Sequence, residues 1–260
     1  MNIIREVLRF RSLLYMMVWL QLRARYKQSV LGVLWAILMP ATIVLAGVVV
    51  KVAMFRYSGQ PLGAEDLANV SVRAVPWAFF VASLRFGTNC LIANPNLVTK
   101  VYFPKVLFPV STILSQFVDF LIACGVLSLI LICLGVSLSW SLLWLPFLVG
   151  LLVLLATGLA VFLSAAGLFF RDVKYLVEMF LTFAIFFTPV FFDAAMFGKW
   201  KNLLLMNPVA PLLEAISAAV TGHAGLPFGW LLYSALVSLV IFAGSLYWFQ
   251  KLEPLFAECI

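Results

Sequence analysis

Arg85, Thr88 and Asn89 stand at i, i+3 and i+4 in an otherwise apolar stretch, so a helix there carries all three on one face. Further on, Ser111, Ser115 and Asp119 repeat every four residues, with Thr112 and Gln116 beside them. A charge at mid-membrane costs at least about 2.5–3.5 kcal/mol on insertion scales, so such groups face protein or water. Two readings fit. Arg85, Asn89, Ser115 and Asp119 line a hydrophilic passage, or Arg85 and Asp119 form a structural pair between helices. Glu178, four residues after Lys174, fits a local helix pair near the headgroups as well as it fits a functional role. Nucleotide and hydrolytic chemistry find no motif. The only Gly-Lys pair, Gly198-Lys199, is followed by Trp200, and neither HExxH nor GxSxG occurs. The cysteines Cys90, Cys124, Cys133 and Cys259 form no CxxC, and His223 is the only histidine, so a zinc site is excluded. No catalytic residue, metal or cofactor is expected in the chain itself.

The elements that carry these residues follow from composition. Of 260 residues, 65% are hydrophobic and 10% charged, against about 45–50% and 25% in soluble domains. So few charges cannot cover the surface of a soluble protein of this size, and disorder requires low hydrophobicity. The fold class is therefore an all-α integral membrane protein. The net charge of +7 resembles that of a nucleic-acid binder, but six of the 17 basic residues lie within the first 27. A basic end beside an apolar body is the pattern of a cytoplasmic flank facing anionic lipid, so no nucleic-acid partner is expected. Aromatics make up 15%. Trp19, Trp140, Trp144, Tyr247 and Trp248 read as interfacial belts, and others can stack on the apolar face of a sugar ring.

Apolar runs of spanning length fall at 30–55, 75–93, 105–136, 142–170, 175–192 and 226–250, giving six spans. Residues 1–28 read as an uncleaved cytoplasmic interfacial segment: 13–20 are apolar but short, and Gln21, Arg23, Arg25 and Lys27 occupy the place of a cleavage site. With the N-terminus inside, Arg5, Arg9, Arg11, Arg23, Arg25, Lys27, Lys100, Lys105, Arg171, Lys174 and Lys251 fall inside. Only Lys51, Arg56, Arg73, Lys199 and Lys201 fall outside. That bias places both termini in the cytoplasm. Residues 193–225 break the pattern with Asp193, Lys199, Lys201, Asn202, Pro208, Pro211, Glu214 and His223. Their best apolar piece, Val209–Val220, is about 18 Å long as a helix, which is too short to span. Short helices dipping in from the outer face fit better. Residues 94–104 form an inner loop with Pro95 and Pro104 at its edges, which predicts a short surface helix from Asn96 to Tyr102. No repeat or linker divides the chain, so 1–260 reads as one domain. Without an energy-coupling motif, it is a passive channel, an ion-coupled carrier or one subunit of a driven pump.

Three stretches narrow the choice. They are Arg23-Ala-Arg-Tyr-Lys-Gln-Ser-Val-Leu-Gly-Val-Leu-Trp-Ala-Ile-Leu-Met-Pro40, Asn94-Pro-Asn-Leu-Val-Thr-Lys-Val-Tyr-Phe-Pro-Lys105, and Phe170-Arg-Asp-Val-Lys-Tyr175 with Thr188-Pro-Val190 and Met206-Asn-Pro208. Together they resemble the membrane subunits of ABC exporters for polysaccharides and polyol phosphates. The type is that of Wzm-like O-antigen permeases, with teichoic-acid permeases as relatives. The resemblance implies a homodimer in the inner membrane docked to two copies of a separate ATPase, which holds the ATP and magnesium. It makes 94–104 a coupling helix, with Asn94, Pro95, Asn96, Lys100, Tyr102, Phe103 and Pro104 at the ATPase socket, and 193–225 an outer re-entrant segment. It implies a lipid-linked glycan as cargo. The basic inner rim of Arg23, Arg25, Tyr26 and Lys27 then stands where a lipid pyrophosphate enters, unless its charge serves topology alone. Arg85 departs from the family pattern and leaves open a channel tuned to a charged polymer. Other classes fit less well. An ion-coupled carrier calls for internal repeats or paired broken helices. A membrane transferase calls for a cluster of His or acids that His223 alone does not supply. A permease for another substrate, such as a drug or haem, is the remaining alternative.

Overall fold

The computed structural model describes residues 3–27, 32, 34–58, 63–133, 135, 140–222 and 228–258. His223, Cys259, residue 28 and the end of the expected 193–225 segment lie outside them. The described residues are helical, with no strand. In chain order the helices are α1 (Ile3–Arg9), α2 (Arg11–Lys27), α3 (Leu34–Ser58), α4 (Ala64–Asn89), α5 (Pro95–Lys100) and α6 (Leu107–Cys133). They continue with α7 (Leu145–Phe169), α8 (Val173–Ala184), α9 (Lys201–Leu205), α10 (Val209–Thr221) and α11 (Phe228–Leu252). A 3-10 turn at Trp140–Trp144 leads into α7, and another at Glu253–Glu258 follows α11.

Five of these helices are long and apolar enough to cross a membrane: α3, α4, α6, α7 with its leading turn, and α11 with its following turn. Two boundaries differ from the sequence reading, each for a physical reason. The second expected span, 75–93, is the end of a longer helix beginning at Ala64. Glu65, Asp66 and Arg73 mark that stretch as polar, but Asp66 and Arg73 are neutralised by partners on other segments, so the helix runs through them. The fifth expected span, 175–192, is shorter: α8 holds 12 residues and is continued only by a 3-10 turn at Ile185–Phe187. Pro189 disfavours helix at the preceding residue, and Thr188 is extended (φ −122°, ψ 135°).

α4 is the most buried span and packs against α3, α6, α7, α8 and α10. Small residues let the helices approach closely, as bilayer packing favours where lipid supplies no hydrophobic drive. A Cβ on Gly158 of α7 would stand 2.9 Å from the backbone of Phe242 on α11, and one on Gly87 of α4 would stand 2.6 Å from the Ala160 side chain. One apolar core joins α4, α6, α7 and α10. A second gathers the ends of α4, α7 and α11, the start of α6, α5, the turn after α11, and the apolar side chains of α1 and α2. α2 lies along α6 through a polar seam: Gln21 donates to Ser111 Oγ (2.9 Å) and accepts from Ser115 Oγ (3.1 Å).

Candidate functional site

The end of α2 meets α3, α4 and α6 around a cavity of about 410 Å³. Arg25 and Tyr26 reach it from α2, Arg85 and Phe86 from α4, and Gln116, Asp119 and Phe120 from α6; Trp35 of α3 and Phe79 of α4 complete an aromatic wall. The four-residue period of α6 puts Asp119 on the face that already packs against α2 through Ser111 and Ser115. Asp119 pairs with the Arg25 guanidinium and accepts the Tyr26 hydroxyl. With its amide oxygen turned towards Arg25, Gln116 accepts from the same guanidinium. Arg25 also lies 5.1 Å from the centroid of the Phe86 ring, a cation–π contact. Burial pushes the Tyr26 hydroxyl up to about 12, and the Asp119 hydrogen bond and charge add to the rise. Tyr26 is thus a donor at any physiological pH.

Arg85 and Asp119 are not partners. Arg85 Nε lies 3.1 Å from Glu178 Oε1 on α8, without the alignment of a hydrogen bond, and both side chains are about half exposed (42% and 47%). Glu178 therefore pairs across helices rather than with Lys174, whose ammonium sits over the Tyr175 ring. The cavity then holds two guanidinium groups among aromatic rings, Arg25 facing Asp119 and Arg85 reaching Glu178 at its edge. The N–H donors that these pairs leave over, beside the rings, suit an anion carrying an apolar or sugar face. The expected sets divide. Arg25, Tyr26, Arg85 and Asp119 line the cavity, whereas Arg23 and Lys27 are exposed outside it. Ser115 is buried in the seam with α2, and Asn89 donates to the Arg85 carbonyl. Gln116, noted beside the polar face of α6, joins the cavity, whereas Gln21 was missed as a site residue although it precedes Arg25 by four and so shares its face.

The expected coupling residues also take two roles. Asn94 caps α5, its carbonyl accepting from the Leu97 and Val98 amides at 3.2 Å, and Pro95 occupies the first turn, where its missing N–H costs nothing. α5 ends at Lys100 rather than Tyr102, because Val101 is extended ahead of Phe103-Pro104. Asn96, Lys100 and Tyr102 point outward, Tyr102 fully exposed, while Phe103 is buried 5.4 Å from the Phe108 ring. A third cluster, unforeseen as a unit, ties α3 and α4 to the segment before α9. Lys51, 1% exposed, reaches Asp66 (3.5 Å) and Asp193 (3.3 Å), and Arg73 pairs with Asp193 (2.6 Å) and donates to the Phe192 carbonyl (3.0 Å).

Known proteins match this arrangement. The profile of the ABC-2 type transporter family covers residues 12–221. The chain belongs to that family. This ABC-2 chain is 26% identical, over its whole length and 99% of the relative's, to an O-antigen export system permease protein RfbA of Myxococcus xanthus. It is 25% identical to two proteins of the same name from Klebsiella pneumoniae, over 92% of its own length and 91% of theirs. Membership accounts for the apolar multi-pass helices and implies an ABC ATPase partner. It sets aside the ion-coupled carrier and the transferase.

Proposed function

We propose that this chain is the membrane subunit of an ABC exporter that moves a lipid-linked, O-antigen-like polysaccharide across the inner membrane. Two copies form the pathway, and a separate cytoplasmic ATPase in two copies binds ATP and magnesium. The observation that carries the reading is the end-to-end match to O-antigen export permeases. The cavity supplies fitting chemistry: Arg25 and Arg85 attract the phosphate of a lipid carrier, and Trp35, Phe79, Phe86 and Phe120 offer stacking that does not fix a register on a sliding polymer. A half-exposed Arg85–Glu178 pair in a bilayer calls for water or protein beside it, which supports a hydrated passage. The exposed aromatic face of α8 and its following turn, with Phe180, Phe183 and Phe187, supports a second copy against it.

The topology of this reading is six crossings with both ends cytoplasmic, and the segment after α8 re-entering from outside. Five contacts support it. α8 starts after a three-residue connection from α7, near Arg85 towards the inner end of α4, and the chain after it arrives at Lys51 and Arg73 near the outer end. Asn207 donates to Thr188 (3.0 Å), while Ser217 donates to Asn69 (2.7 Å), so α10 runs back outward. α5 is the ATPase docking helix, with Asn96, Lys100 and Tyr102 as its contact face and Asn94, Pro95, Phe103 and Pro104 fixing its shape.

Deletion tests the function. Cells without this chain should accumulate lipid-linked glycan on the cytoplasmic face and lose the surface polymer; normal surface glycan in a clean deletion refutes the proposal. In a background with Cys90, Cys124, Cys133 and Cys259 replaced by Ser, cysteines at Ser58 and Lys201 should react with an impermeant thiol reagent added outside, and one at Lys27 should not. Reaction at Lys27 in sealed cells overturns the topology.

A further inference from the structure

α5 has six residues, too few to hold a helix unaided in water, and only Val98 among them is buried. A docking helix must nevertheless resist the push it receives. Among the described elements, α5 packs chiefly against the 3-10 turn that follows α11. That turn is anchored at two points. The Glu253 carboxylate accepts the Lys105 N–H at 2.7 Å. This amide opens the first turn of α6, ahead of any intrahelical partner, and the neighbouring Pro104 has no N–H to offer. Phe256, 1% exposed, seats its ring 5.1 Å from Phe249 of α11 and 6.0 Å from Phe169 at the end of α7, both edge-on. Val98, Phe103, Phe108 and Phe256 belong to one apolar cluster. The turn therefore touches the loop that carries α5 on one side and the end of α7 on the other.

We infer that the turn Glu253–Glu258 is a positioning element for ATPase coupling, a brace that locks the loop carrying α5 and the ends of α7 and α11 into one body. A displacement of α5 then moves α6, α7 and α11 together. Without the brace, the loop between α4 and α6 absorbs the displacement by bending, because its exposed residues Leu97, Lys100, Val101 and Tyr102 have no packing of their own to resist it. Glu253 acts by accepting a hydrogen bond, not by its charge, and Phe256 acts by filling volume.

This inference rests on the reading of α5 as the ATPase docking helix, and the test separates the two. The permease–ATPase complex is reconstituted in vesicles, and three quantities are measured: ATPase affinity, ATP hydrolysis, and glycan exported per ATP. Phe256→Ala and Glu253→Ala should keep ATPase affinity within about twofold, while export per ATP falls about tenfold, the scale of one lost buried hydrogen bond or its packing equivalent. Glu253→Gln keeps an acceptor oxygen and should couple as the parent does, and Phe256→Leu should recover most of the loss. Unchanged export per ATP in both alanine variants overturns the inference, as does a Glu253→Gln variant as defective as Glu253→Ala. If Phe256→Ala does not fold, the Glu253 pair still decides, since it removes one hydrogen bond and no core volume. Tyr102→Ala is the control on the underlying reading. If it leaves ATPase affinity and export unchanged, the docking assignment fails; if it weakens affinity while the alanine variants couple normally, the brace alone fails.

Discussion

Replacing Asp193 with Ala would strip the outer cluster of the carboxylate that two cations share. Arg73 lies 2.6 Å from it and Lys51 3.3 Å, and Lys51 is almost wholly enclosed. After the substitution, Asp66, 3.5 Å from Lys51, would still face that cation, while Arg73 would lose its carboxylate. Removing one partner of a buried pair costs about 3–5 kcal/mol, because the other charge is left uncompensated. Asp193 is 31% exposed, which sets the expectation at the lower end, about 3 kcal/mol. The cost falls on the attachment of the segment after α8, which is otherwise tied by the Arg73 bond to the Phe192 carbonyl and by the Ala194 N–H to Glu214. Amide hydrogen exchange across 194–206, measured in nanodiscs, should therefore speed up by about a hundredfold, with little change in α7. The pH dependence has a definite sign. Burial alone would raise the Asp193 carboxyl, but Arg73 and then Lys51 outweigh it and hold it below its usual value. A depressed carboxylate contributes stability that is complete above its unfolded value near 4 and is lost as pH falls through the folded one. In the parent protein, exchange in this segment should accelerate below about pH 4. In the Ala variant that acid step should vanish. Exchange in the variant within threefold of the parent would refute the assignment of the cluster as the tether.

Three further outcomes are expected. Tyr26 is raised to about 12, so its bond to Asp119 contributes stability below about pH 10 that fades as pH rises towards 12; fluorescence of a probe on α2 should report release from α6 in that window, and not in Tyr26→Phe. Gly158→Ala should destabilise by about 1–3 kcal/mol in mixed-micelle unfolding, since its Cβ would meet the Phe242 backbone, which cannot rotate away. Lys100→Glu should weaken ATPase binding in a pull-down, because it reverses a charge on the outward face of α5 without touching the buried Val98.

Arg85 and Glu178 show where reading along the chain ends. Local periodicity put Arg85 and Asn89 on one face of α4 and Ser115 and Asp119 on one face of α6. That holds, because a helix's 3.6-residue repeat is a property of its own backbone. The same locality misled at Glu178, where Lys174 four residues away was the nearest partner in sequence but Arg85 was the one in space. The helical class and most span boundaries were likewise legible, since about 20 apolar residues suffice to cross a bilayer wherever they occur. The early start of α4 was not, because the polarity of Asp66 and Arg73 is cancelled by Lys51 and Asp193, from segments far away in the chain. The short α8 was decided by Pro189, a signal present in the sequence but hidden inside an apolar run. Which of the basic residues on α2 meets an acid, and that a turn beyond α11 supports α5, depended on how helices pack side by side. Residue spacing determines what each helix can present; pairing energies between helices depend on distances that no single helix contains, and only the tertiary structure sets them.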